Sequence, residues 1–262
     1  MNSILSLTRY VWHSHMNGKG IIGLIMTALI PTVFTVGEMH FNQDNYLESS
    51  TECLRFLREF VIPINIYITL PFLVMSLTLP TISKLYEKGA ITYFFTQPAP
   101  RWQIILGLYF GSIICLLPLL ALAALAPNLI IIFQLGVQYN LNELLSLSLR
   151  QFFILAISTF PYAALCSFLA IWSKKPLIWA TFLLFIWGSI IGSLPGGAKF
   201  LSLHNYIMGL AKSICGIENI ATELWPPSET PPSDITSLFV LVGLSFSFIF
   251  LGQLASKKRD IL

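Results

Sequence analysis

The stretch IILGLYFGSIICLLPLLALAALA, residues Ile104–Ala126, contains no charged side chain. A helix of about 20 apolar residues is long enough to cross the ~30 Å hydrocarbon core of a bilayer. The rest of the chain has the same character, since 55% of its 262 residues are hydrophobic and only 10% are charged. A soluble domain is usually about 25% charged. The sequence therefore predicts an all-α integral membrane protein.

Further apolar runs lie on both sides of this stretch and predict six membrane spans within a single transmembrane domain, residues 1–262. The predicted spans cover residues 20–36, 61–80, 104–126, 151–172, 177–194 and 235–254. The third run continues past Pro127 to Leu135, which is too long for one span and too short for two. We expect Pro127 to bend or end that helix because proline lacks the N–H that a helix needs.

The basic residues give the spans a direction. With a cytoplasmic N-terminus, the inner segments hold ten of the fifteen lysines and arginines, and the outer segments hold ten of the twelve acidic residues. Such a bias is typical of cytoplasmic loops. We therefore expect both termini to be cytoplasmic. The ten inner basic residues are Arg9, Lys19, Lys84, Lys88, Arg101, Lys174, Lys175, Lys257, Lys258 and Arg259.

The predicted spans contain no Asp, Glu, Lys, Arg or His. Ion-coupled transporters and intramembrane hydrolases normally carry ionisable groups at depth, so this absence argues against both classes. The chain also lacks a phosphate-binding loop, a zinc-protease motif and a serine-hydrolase motif. We expect a protein that is not itself an enzyme and that holds no metal or cofactor.

Two segments are predicted to be amphipathic helices outside the spans. In residues 1–19, Ile4, Val11 and Trp12 gather on one face and Arg9 lies opposite, which is typical of a helix in the inner interface. Between residues 200 and 214, apolar residues recur at helical spacing. We expect this second helix to rest on the outer leaflet or to cap the bundle.

The segment YEKGAITYFFTQPAPRW, Tyr86–Trp102, separates the second and third spans and is unusually punctuated. Gly89 tolerates the left-handed backbone that ends a helix, and Pro98 disfavours helix in the residue before it. The pattern predicts a stiff helix–turn–helix elbow exposing Tyr93 and Phe94. A simple connection needs only a few polar residues, so we interpret the elbow as a docking element for a soluble partner.

This segment resembles the membrane subunits of type-2 ABC exporters. In one branch of that family the same place reads approximately acidic-x-Gly-Thr-Leu-Thr-Tyr-Leu-Leu-Thr-Arg-Pro-Val-Pro-Arg-Trp, followed by Ile-Leu-Gly-Lys. The chain matches from Glu87 to Gly107 and departs at Ala90, Gln97 and Leu108. The resemblance is close over residues 80–107 and loose over the remainder.

The resemblance implies the membrane-spanning permease subunit of an ATP-driven exporter in a bacterial cytoplasmic (inner) membrane. The elbow would be the cytoplasmic coupling helix, which sits on separate ABC ATPase subunits that bind ATP and Mg²⁺. A second copy of the chain, or a similar permease, would complete a dimer surrounded by membrane lipids, and no nucleic acid is implied. The ATPase-coupling residues would be Glu87, Lys88, Gly89, Thr92, Tyr93, Phe94, Pro98 and Arg101, with Lys174 and Lys175 as a second cytoplasmic contact or a positive-inside anchor.

Two GxxxG spacings, Gly107 with Gly111 and Gly188 with Gly192, allow helices to approach closely, either within the chain or at a subunit interface. A disulfide between Cys53 and Cys215, both predicted on the outer side, is a further hypothesis.

Two other functions stay open at this point. The first is an ABC-type mechanical transmitter that moves an extracytoplasmic partner, and the second is an energy-independent channel or facilitator. The cargo is not readable from the sequence.

Overall fold

The computed structural model of the chain describes residues 8–12, 19–41, 50–87, 101–135, 141–188, 200, 202–217 and 232–259. Every regular element in these ranges is helical, which confirms the predicted all-α class. The helices are α1 (Lys19–Ala28), α2 (Ile30–Phe41), α3 (50–87), α4 (Arg101–Leu135), α5 (Leu141–Trp172), α6 (176–187), α7 (Leu203–Cys215) and α8 (Asp234–Arg259).

Four of these helices, α3, α4, α5 and α8, are long and apolar enough to cross a membrane. The pair α1 and α2, bent by 44°, would add a fifth crossing. The chain is therefore a multi-pass membrane protein. These five elements contain the predicted spans 20–36, 61–80, 104–126, 151–172 and 235–254. Of the fifth predicted span, 177–194, the structure describes only residues 177–188, which contain the shorter apolar helix α6.

The prediction that Pro127 ends its helix is wrong, because α4 runs through both Pro118 and Pro127 to Leu135, and a bend at Pro127 stays a prediction. Pro127 has no N–H to donate to the carbonyl of Ala123, four residues earlier. The side-chain amide of Asn65, on α3, donates to that carbonyl at 3.3 Å instead. A neighbouring helix thus satisfies the group that proline leaves free, as membrane helices require.

Side-chain contacts fix the directions of the central helices. Arg58 near the start of α3 pairs with Glu143 near the start of α5 at 3.5 Å, so these two helices are parallel. The Tyr109 hydroxyl, early in α4, donates to the carbonyl of Phe160, late in α5, at 3.1 Å. α4 is therefore antiparallel to both, and the end of α3, the start of α4 and the end of α5 lie at one end of the bundle.

The last helix ends on the same side. Gly252 of α8 lies close to Ile171 near the end of α5, since a Cβ at Gly252 would be 3.6 Å from the Ile171 Cδ1 atom. We call this side, with residues 84–87, 101–102, 172–176 and 253–259, the basic end. Exposed Lys84, Lys174 and Lys175 lie there. These are three of the ten basic residues predicted to be cytoplasmic, and the side of the membrane that this end faces stays a prediction.

The first described residues, 8–12, are helical and pack across α4. A Cβ at Gly111 would lie 3.1 Å from Val11 Cγ2 and 3.2 Å from Thr8 Cα. Val11 is buried while Arg9 and Trp12 are exposed. Gly111 therefore makes room for a close approach within the chain.

Candidate functional site

The residues predicted to contact an ATPase lie at the basic end, as far as the structure describes them. α3 ends at Glu87 and α4 begins at Arg101, and these two helix ends are neighbours. Lys88, Gly89, Thr92, Tyr93, Phe94 and Pro98 lie outside the described residues. The predicted elbow therefore connects two adjacent helix ends, and its own conformation stays a prediction.

Lys174 and Lys175, the predicted second contact, lie between α5 and α6 and are both exposed. The Lys175 N–H donates to the Ser173 hydroxyl at 3.1 Å, and Pro176 occupies the first turn of α6. This short bend and the helix ends at Glu87 and Arg101 lie at the same end of the bundle.

A second cluster, which the sequence did not predict, lies deep in the bundle around His204 of α7. The Tyr162 hydroxyl on α5 and His204 Nε2 form a hydrogen bond of 3.0 Å. The ring of Tyr67, on α3, stacks on the His204 imidazole with centroids 4.9 Å apart and an interplanar angle of 3°. Three helices therefore meet at one buried imidazole, which we call the His204 cluster.

A fourth helix reaches the same imidazole at Gly188, where α6 ends. A Cβ at Gly188 would lie 2.6 Å from His204 Nδ1, so only glycine leaves room for the ring. The Ser202 hydroxyl donates to the Gly188 carbonyl at 3.3 Å, which ties the end of α6 to the start of α7. Of the other glycines in the two predicted GxxxG spacings, Gly107 is buried in α4, and Gly192 lies outside the described residues.

Contacts with α5 show how deep the His204 cluster lies in the bundle. His204 contacts Tyr162, and ten residues later the carbonyl of Ile214 accepts a hydrogen bond of 3.3 Å from the Arg150 guanidinium. α7 therefore runs antiparallel to α5, from the middle of its apolar stretch 151–172 toward the end opposite the basic end. The predicted helix is present. Of its two predicted placements, lying on the outer leaflet is wrong because most of α7 is buried in the bundle, and capping the bundle stays a prediction.

α7 ends with a glycine in the left-handed conformation. Gly216 has φ of +66°, and its N–H donates to the Lys212 carbonyl at 3.1 Å, as in a common helix C-terminus. α6 enters from the basic end, α7 leaves toward the opposite end, and the two meet at Gly188 and His204. Two short helices that meet inside a bundle are typical of binding or gating regions in transporters.

Two π-helical segments border the cluster, Asn65–Thr69 in α3 and Phe182–Trp187 in α6. Such segments shift the helical register and are frequent at functional sites. The side-chain carbonyl of Asn65, the Thr69 hydroxyl and the Asn205 side-chain amide are buried without a hydrogen-bond partner among the described residues. Unsatisfied buried polar groups are costly, so the surroundings of His204 hold polar groups that packing alone does not explain.

A cavity of about 230 Å³ adjoins His204 and Gly188, with Phe168 and Phe248 among its apolar walls. Hydropathy alone did not reveal this site, because residues 195–234 are polar enough to be assigned to a loop. The signal that was available is the helical spacing of apolar residues around His204. An ionisable residue inside a membrane bundle is a functional candidate by default.

All four cysteines lie in the described ranges and are free and buried. The disulfide considered between Cys53 and Cys215 is therefore not present. Among the described residues, no three His, Cys, Asp or Glu side chains are grouped so that they could hold a metal ion.

No family model and no curated protein matches the sequence. The functional inference therefore depends on the punctuated segment at the basic end and on the His204 cluster.

Proposed function

We propose that the chain is the membrane-spanning permease subunit of an ATP-driven ABC exporter. The observation that carries this proposal is the segment Tyr86–Trp102, whose glycine, aromatic and proline spacing resembles the coupling region of type-2 exporter subunits. The proposed complex contains two permease subunits and two cytoplasmic ATPase subunits, which bind ATP and Mg²⁺. Six crossings are part of this proposal, with α6 and α7 together completing the fifth predicted span.

The direction of the chain supports the same proposal. Most basic residues belong to the segments at one end of the helices, and positive-inside segregation assigns that end to the cytoplasm. The elbow and the Ser173–Pro176 bend then face the compartment that contains ATP. Both termini are cytoplasmic in this orientation, and the membrane is the bacterial inner membrane.

The bundle offers a path for movement from the elbow to its centre. Glu87, next to the elbow, and Tyr67, which stacks on His204, belong to the same helix α3. When ATP closes the ATPase dimer, the elbow moves and tilts α3 and α4. The π-helical segment at Asn65–Thr69 is the place where α3 can change register. We propose that this tilt separates Tyr67 from His204 and opens a path beside α7.

Extraction of tagged protein from its native membrane in mild detergent tests the proposal. We expect a Walker-motif ATPase to co-purify with the chain, and we expect the variant Tyr93→Ala with Phe94→Ala to release it. Leu145→Ala with Leu149→Ala is the matched control, because these exposed apolar residues lie at the start of α5, far from the basic end. A chain that purifies alone under conditions that preserve other complexes would favour a channel or facilitator.

A further inference from the structure

An apolar groove lies between α4, α5 and α8, on the outside of the bundle. It encloses about 550 Å³, and Leu106, Phe110, Phe160, Phe246, Phe250 and Gln253 are among the residues that line it. Ligand sites of this kind usually measure roughly 300–1,000 Å³. In the most apolar stretch of each helix, only 22% of α8 is buried in the bundle, against 67–78% of α3, α4 and α5. The groove therefore opens toward the surroundings of the bundle.

The groove is as long as one leaflet of a bilayer. Along α8 it extends from Val242 to Gln253, which corresponds to about 16 Å at 1.5 Å per residue. Half of the ~30 Å hydrocarbon core is about 15 Å. Phe160 lies near the middle of the apolar stretch of α5, and Gln253 lies at the basic end. The groove thus covers the leaflet on the basic side and stops near the midplane.

Polar and aromatic residues mark the end of the groove at the membrane surface. Trp102, which is 47% exposed, lies one helical turn before Leu106 on α4, and tryptophan is enriched at this depth. On α8 the helix continues beyond Gln253 through Lys257, Lys258 and Arg259. Lys257 follows Gln253 by about one helical turn. The last turn of α8, beyond the open end of the groove, therefore contains three basic residues in sequence.

We propose that this groove is a binding site for an anionic glycerophospholipid of the cytoplasmic leaflet. One acyl chain lies along Phe110, Phe246 and Phe250, and the phosphate headgroup lies at the basic run 257–259. Basic pockets between membrane helices bind anionic headgroups in this way. The proposal depends on the membrane location and the orientation of the chain, and it does not depend on an ATPase partner.

A second copy of the chain is the other occupant that an exposed apolar face suggests. A membrane-crossing helix from a second copy would contact both leaflets, whereas the groove ends near the midplane. The cations at one end also favour a negatively charged occupant over an identical chain that carries the same cations. The length of the groove and the basic residues that follow it along α8 thus both favour a lipid.

Native mass spectrometry of the detergent-purified chain tests the site, with phosphatidylglycerol and phosphatidylcholine of identical acyl chains as probes. We expect phosphatidylglycerol to bind more tightly, and Lys257→Gln with Lys258→Gln to weaken it by about fivefold per lysine. Lys174→Gln with Lys175→Gln removes the same charge at the same end of the bundle. This control is expected to leave the preference unchanged.

A second pair of variants tests the groove itself. Ser245 lines the groove, and Ser247 on the same helix is exposed outside it; both hydroxyls donate to carbonyls of their own helix. Ser245→Leu is expected to reduce phosphatidylglycerol binding, and Ser247→Leu is not. Equal binding of the two lipids, or equal effects of the two leucines, would show surrounding lipid only and overturn the proposal. Disulfide-linked dimers of Phe246→Cys, absent from the unsubstituted chain, would assign the groove to a second copy and also overturn it.

Discussion

Replacing Gly188 with alanine is expected to destabilise the protein by about 1–3 kcal/mol, the usual cost of overpacking a core. The added Cβ would lie 2.6 Å from His204 Nδ1 and 2.8 Å from Cε1. The ring cannot easily move away, because it stacks on Tyr67 and is hydrogen-bonded to Tyr162. Gly188 itself has ordinary helical angles, φ −59° and ψ −44°, so the loss is steric. The measurement is the unfolding midpoint in detergent, which is expected to be lower in Gly188→Ala than in the unsubstituted chain.

Two further variants make this prediction specific. Gly243→Ala is the control, since a Cβ at Gly243 meets nothing within 4 Å, and it is expected to leave the midpoint unchanged or higher. His204→Ala combined with Gly188→Ala is expected to cost less than the sum of the two single changes, because the small side chain removes the clash. An unchanged midpoint in Gly188→Ala would show that α6 and α7 do not meet as described.

Gly89→Val is expected to abolish transport while the associated ATPase continues to hydrolyse ATP. The sequence predicts that Gly89 ends the first helix of the elbow in a left-handed conformation, which costs a residue with a side chain about 1–2 kcal/mol and a β-branched residue more. A distorted elbow would still leave the membrane helices and their insertion unchanged. The measurement compares ATP hydrolysis with substrate export in reconstituted vesicles.

The control for this variant is Gly20→Val. A Cβ at Gly20 meets nothing within 4 Å, and the residue lies in α1, outside the elbow. It is expected to retain both activities. Full transport in Gly89→Val would contradict the assignment of the elbow as the coupling element.

Much of the fold follows from hydropathy because uncharged runs of about 20 residues have few alternatives to membrane helices. The runs at 61–80, 104–126 and 151–172 all lie inside long helices of the structure. The orientation expected from the lysines and arginines stays a prediction. Hydropathy could not give the exact length of each helix, since α3 and α5 extend well beyond their apolar parts.

The sequence did not predict the depth of α7. His204 and Asn205 make its start polar, so a hydropathy window assigns the segment to the surface. Its position inside the bundle depends on partners far away in the chain, Tyr67, Tyr162 and Gly188. The sequence likewise did not show that α4 continues through Pro127, because the amide that donates to the free carbonyl belongs to Asn65 on another helix. Both features depend on long-range contacts, which no local pattern contains.

Photo-cross-linking in the native membrane is the sharpest test of the proposed contact between the elbow and an ATPase. A benzophenone amino acid would replace Phe94 in the elbow or, as a control, Leu149, which is 56% exposed near the start of α5. We predict that the probe at position 94 forms an adduct with a Walker-motif ATPase and that the probe at position 149 does not. Adducts with lipid or unrelated proteins alone at position 94, in cells that express the chain normally, would contradict the account.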